Sequence, residues 1–216
     1  MDSQNIKQLN EAGYLVINDF ISDEIFNQFK IDTNKYLENS KNKNFNLTDY
    51  DLNESIFNKY YLDSKITNLV NNIFKVTNID FDNEECYRVF RALVGEESNK
   101  QNKKYHFDSY YLTILFPIII PNNQDTKNGD FFIIPNIRKI YKNFILNLLV
   151  KFLFQNKISY LLYKSKLFDR LFKPIKIIPK EKSVIIFWGY KSLHGSGDLG
   201  ENRKRVTVLY HFKKMK

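Results

Sequence analysis

Tyr105-His-Phe-Asp-Ser-Tyr-Tyr-Leu-Thr-Ile-Leu-Phe-Pro-Ile-Ile-Ile120 carries both a strand and a chemical pattern. Its second part, Tyr111–Ile120, is rich in β-branched and aromatic residues, stops at Pro121 and reads as a strand. Its first part holds His106-Phe-Asp108. Side chains alternate along an extended segment, so the imidazole and the carboxylate fall on one face. They can then take neighbouring positions on one metal ion. His-x-Asp recurs by chance, so its weight depends on the residues around it.

Further strands flank this stretch. Tyr87–Val94, Phe131–Ile134 before Pro135, Ile175–Ile178, Val184–Trp188 and Arg205–Phe212 share its composition. Upstream the period changes from 2 to 3.6. Ile6–Ala12 reads as a short helix stopped by Gly13, and Tyr14–Ile17 as a short strand. Ser22 reads as the N-cap of an amphipathic helix reaching Leu37, and Ile66–Phe74 as another helix. The polar run Asn39–Asn46 is expected to be loop. Helices first and strands afterwards predict an α+β fold, a β-sandwich or jelly roll buttressed by N-terminal helices.

The bulk composition agrees with one domain over residues 1–216. Hydrophobic residues make up 43% and aromatics 16%, while glycine and proline are too few for a disordered chain. There is no internal repeat. A single cysteine, Cys86, cannot close a disulfide within the chain and suggests a reducing compartment. No secretory h-region opens the sequence, and no apolar run reaches the roughly 18 residues of a spanning helix. The expectation is a cytoplasmic protein.

The net charge of +9 is local. Residues 138–173 hold nine basic residues and one acid, leaving the remainder nearly neutral. No nucleic-acid partner is expected from such a distribution. The segment interrupts the strand region and reads as helical insertion. Phe144, Ile145, Leu148, Leu149 and Phe152 share one face, with Asn143, Asn147 and Lys151 as a polar stripe; Ile158–Phe172 repeats the mixture. Such a segment suits a peripheral membrane contact, a roof over a site, a subunit contact, or recognition of an anionic substrate.

His194 follows the strand Val184–Trp188 in what reads as a glycine-rich turn, and the chain has only three histidines. Two imidazoles and one carboxylate on one face leave three coordination positions open, the ligand set of iron(II) that must also bind a chelating cosubstrate and O₂. Arg205 enters the last strand eleven residues after His194. A guanidinium there can grip a carboxylate through two parallel bonds, which suits the distal carboxylate of 2-oxoglutarate. The bland alternative is a solvated surface arginine.

Four stretches together resemble the phytanoyl-CoA dioxygenase family of iron(II)/2-oxoglutarate-dependent oxygenases. They are Gln8–Glu24, Tyr105–Asp108, Gly129–Pro135, and His194–Gly197 running through to Arg205. The resemblance spans about residues 8–212. It implies a double-stranded β-helix (cupin-like jelly roll) core, with iron on His106, Asp108 and His194 and the catalytic centre there. It also implies 2-oxoglutarate and O₂ as cosubstrates. Arg205 and Ser196 are its implied carboxylate contacts, with Thr113 and Arg91 as further candidates. The implied activity is hydroxylation of an aliphatic carbon in a small-molecule, lipid or sugar-linked substrate, with release of succinate and CO₂. Two departures stand out. Pro135 is followed by Asn136-Ile-Arg138 where the family has Pro-Gly-Ser-His, and the insertion begins there. Asp108 retains the carboxylate that halogenating members lack. The competing classes are a cupin-type metalloenzyme without 2-oxoglutarate, which would need no carboxylate clamp, and a non-catalytic membrane adaptor.

Overall fold

The computed structural model describes residues 3–38, 43–48, 51–52, 57, 64–81, 86–121, 127–140 and 144–215. Among these, a six-stranded and a three-stranded antiparallel sheet face each other, with helices on the outer side of the larger one. The fold is the expected α+β jelly roll.

Helix α1 (Ser3–Ala12) ends at Gly13, whose φ of +79° a side chain would strain. The chain turns there into β1 (Tyr14–Ile17). Helix α2 (Asp23–Glu38) starts with Ser22 Oγ accepting from the Ile25 amide at 3.5 Å. Strand β2 (Phe45–Thr48) corrects part of the expected loop, because Asn44 Oδ1 caps the Val94 amide and Phe45 stacks on Phe90. Residues 39–42 of that loop, like residues 141–143 of the insertion, lie outside the described residues. Helix α3 spans Ser64–Thr77.

The larger sheet runs β1–β7–β4–β9–β3–β2, with β3 (Cys86–Val94), β4 (Tyr110–Ile119), β7 (Val184–Phe187) and β9 (Lys204–Lys214). The smaller runs β6–β5–β8, with β5 (Phe131–Ile134), β6 (Ile175–Ile177) and β8 (Leu193–Ser196). Each predicted strand is present within a residue or two of its expected ends. His194 is the exception, lying on β8 rather than in a turn, because Phe132 pairs with Gly195 and Ile133 with His194.

The period of 2 sorts side chains between layers. On β9, Val206, Val208, Tyr210 and Phe212 pack under the helices with Phe29, Ile73 and Trp188. Arg205, Thr207, Leu209 and His211 alternate with them and line the space between the sheets. On β5, Phe131 and Ile133 face inward with Phe187 and Ile185, while Phe132 and Ile134 face out.

Among the described residues the insertion forms three helices. These are α4 (Phe144–Phe154), α5 (Lys157–Tyr163) and α6 (Lys166–Phe172). Asn156 and Ser165 cap the last two by accepting from the Ser159 and Phe168 amides, so the sequence itself writes the breaks. Their inner residues, including Phe154, Tyr163 and Phe168, pack on Tyr105, Phe107 and Leu193, behind the segment that carries His106 and Asp108. Arg138, counted among the basic residues of the insertion, is buried. Its guanidinium lies between the Phe107 and Tyr190 rings and bonds Asn147 and the Tyr190 carbonyl.

Candidate metal centre

His106 joins the edge of the smaller sheet through a single bridge to His194. Their backbones exchange bonds of 2.9 and 3.0 Å. Directly opposed residues share a face, so both imidazoles point between the sheets, with ring centroids 4.5 Å apart. Asp108, two residues on, falls on the same face, and its amide is fixed by the Gly189 carbonyl at 3.0 Å. The three side chains offer ligand atoms that all lie within 4.8 Å of one another. His194 Nε2 is 3.4 Å and His106 Nε2 3.8 Å from Asp108 Oδ1. The second separation exceeds a hydrogen bond and leaves room for an ion between the groups.

Backbone carbonyls orient both rings. Lys104 O lies 3.2 Å from His106 Nδ1, and Ser192 O lies 3.0 Å from His194 Nδ1. A proton on each Nδ1 donates to its carbonyl and leaves the Nε2 lone pair free for a metal. Desolvation, aided by neighbouring His194, pushes His106 down to about 4, so it is neutral and ready to ligate at pH 7. Burial alone would raise the Asp108 carboxyl. The imidazoles of His194 and His211 outweigh burial and hold it well below the usual carboxylate range.

Behind Asp108 lies a relay that the sequence did not announce. Thr113 donates its hydroxyl to Asp108 Oδ2 at 2.6 Å. A hydroxyl has one proton, so the 2.9 Å contact with His211 Nδ1 must be donated by the imidazole. His211 stacks on Tyr110 and Tyr87 and stands 3.6 Å from Asp108 Oδ2. The structure therefore places Thr113 against the candidate ligand Asp108 and not among the cavity-lining residues, and His211 outside the cluster of three. The parity of 211 with 205 was the one signal for its inward position.

The cavity beyond the triad has a volume of about 130 Å³ and is lined by Arg91, Phe131, Ser196, Arg205, Thr207 and Leu209 among others. Ser196 lies two residues past His194 on β8, about 7 Å along an extended strand. Arg205 donates through Nη1 to Ser196 Oγ at 2.9 Å and to the Gly129 carbonyl. It is 4% exposed, yet its Nε finds no hydrogen-bond partner among the described residues. Arg91 lines the same cavity from β3. Burial depresses both guanidinium pKa values, and Arg205 is lowered further by Arg91. Asp108 and Asp130 oppose these shifts at Arg91 and Arg205 respectively, and the unsatisfied buried Nε leaves a donor that an anion could meet.

No family model matches the chain, and no curated protein matches it by sequence. Solved structures do. The chain superposes over 99% of its length on a prolyl 4-hydroxylase from Phytophthora capsici (TM-score 0.67, 12% identity), spanning 62% of that longer chain. A Pseudomonas putida prolyl-4-hydroxylase gives TM-score 0.64 at 8% identity, covering 99% of this chain and 98% of that one. HygX from Streptomyces hygroscopicus, solved with nickel and 2-oxoglutarate bound, gives 0.62 at 10% identity, with 99% and 87% covered. At such identities the agreement is one of fold.

Proposed function

We propose that this protein is a non-haem iron(II), 2-oxoglutarate-dependent oxygenase. One observation carries the reading. A single cavity holds His106, Asp108 and His194, which can ligate a metal, together with a buried arginine whose Nε lacks a partner among the described residues. His106, Asp108 and His194 would hold the iron on one side, leaving the opposite positions to cosubstrate and oxygen. Arg205, braced by Ser196, would hold the distal carboxylate of 2-oxoglutarate, with Arg91 adding positive potential. Thr113 and His211 would keep Asp108 in its orientation. A bound iron with these cosubstrates supplies an oxidant able to take hydrogen from an aliphatic carbon, with succinate and CO₂ as co-products. The protein residues hold the geometry and exclude water.

The finer reading is kinship with the phytanoyl-CoA dioxygenase family and hydroxylation of a small-molecule, lipid or sugar-linked substrate. It is supported by Tyr105–Asp108, His194–Gly197 and Arg205 in their spacing. The fold neighbours include hydroxylases and a complex with 2-oxoglutarate, which is consistent with the coarser activity. A cupin-type enzyme without 2-oxoglutarate gives Arg205 nothing to bind. The test is calorimetric titration of 2-oxoglutarate into iron(II)-loaded protein without oxygen, followed by succinate release in air. Binding and slow succinate release are expected. Metal-loaded protein that ignores 2-oxoglutarate overturns the proposal.

A further inference from the structure

We infer that the outer face of helices α4–α6 is a docking surface for a bilayer bearing acidic phospholipid. Among the described residues, twelve of the sixteen exposed large apolar side chains fall within 144–172. Ile145, Phe152, Ile158, Leu161, Leu167 and Leu171 are each between 62% and 72% exposed. Surface helices normally turn such a face toward the core. Here the core side is already filled by Val150, Phe154, Tyr160, Tyr163 and Phe168 against Tyr105 and Phe107. The outer apolar residues are therefore a second face, and a concentration of exposed apolar side chains of this kind marks a contact site.

Charge identifies the occupant. Lys157, Lys164, Lys166, Arg170 and Lys173 are exposed on the same helices. The only acid between residues 144 and 173 is Asp169, whose carboxylate is held by Lys103 at 2.7 Å. A second copy of the chain would set this positive rim against itself. An acidic lipid surface neutralises the rim and takes the leucines below the headgroups.

No described helix is long and apolar enough to cross a membrane. Helix α4, with 11 residues, reaches about 16 Å against a hydrocarbon core of roughly 30 Å. The contact is therefore one of lying on the surface. Lys151 bonds Ser109 at 2.8 Å and Gln155 bonds the Phe107 carbonyl at 3.3 Å, so the inner side of α4 is tied to the segment bearing His106 and Asp108.

The surface stands independently of the metal chemistry, and so does its test. The protein of residues 1–216 is sedimented with phosphatidylcholine vesicles, either alone or with roughly a third phosphatidylserine. Binding to the acidic vesicles should exceed neutral binding at least tenfold at low salt and fall steeply above about 0.1 M, where the screening length is near 10 Å. K157E/K164E/K166E should abolish it through charge, and L161S/L167S should weaken it at least fivefold with every cation retained. These positions are exposed, and circular dichroism verifies that the variants fold. The proposal is overturned if wild-type protein ignores acidic vesicles, if it binds neutral and acidic vesicles equally, or if light scattering shows a dimer that L161S/L167S dissociates while lipid binding is absent.

Discussion

The hydroxyl of Thr113, on the fourth strand, donates to Oδ2 of Asp108, leaving Oδ1 turned toward His106 and His194. Supports of this kind fix a ligand's rotamer before metal arrives. Thr113→Val keeps the shape and removes the donor. Iron(II) affinity should fall about 10- to 100-fold, with little change in melting temperature. Unchanged affinity by metal titration would show that the bond does not position Asp108.

Gly189 leaves the space that Asp108 occupies. A Cβ added there would collide with Asp108 Oδ2 and come within 2.5 Å of Thr113 Oγ1. Gly189→Ala should therefore yield folded protein with weaker metal binding than Thr113→Val. Equal affinity for the two variants in parallel titrations would refute the steric argument.

Replacing Arg205 by Ala should weaken 2-oxoglutarate binding by roughly 2–5 kcal/mol, because the distal carboxylate would be left without its charged partner. Lysine should rescue little, since a point charge cannot reproduce the guanidinium fork. Iron binding should be unaffected. Calorimetry that finds cosubstrate affinity intact in Arg205→Ala would remove the carboxylate clamp.

His194→Ala should abolish iron binding, whereas His211→Phe, which keeps the stacking on Tyr110 and loses the bond to Thr113, should only weaken it. The contrast tests whether His211 stands outside the ligand set. Comparable losses in the two proteins would bring it inside.

Arg138→Ala removes a buried cation that holds Tyr190, Asn147 and the Phe107 ring in one place. Bonds from charged groups suggest a loss of roughly 3 kcal/mol, measurable as a lower urea midpoint. A midpoint equal to wild type would mean that these contacts contribute nothing net.

The strands and the pair His106 and Asp108 were legible because period 2 governs both: the same alternation that puts Val206 and Val208 under the helices puts Arg205 and His211 in the cavity. Thr113 was visible as a strand residue and a cosubstrate candidate, but its partner lies five residues back across a bend, and only the fold brings the two together. The burial of Arg138 could not be read from its place in a basic segment. The aromatic rings that bury it come from residues 107 and 190, far away in sequence. The strand around His194 was hidden by two glycines, Gly195 and Gly197. These fit for steric reasons, since a Cβ at Gly195 would press on the Lys104 carbonyl at 3.2 Å.

The chain leaves the smaller sheet after Ile134 and returns at Ile175, and Ile133 pairs with Ile175. Topologically, residues 135–174 are the loop of one hairpin. Closing forty residues instead of four adds about 2 kcal/mol of chain entropy by the logarithmic law, which packing on Tyr105 and Phe107 readily offsets. The helices thus behave as a cassette spliced into a turn. Its outward surface can be rewritten, for another destination or none, without altering a single register in either sheet.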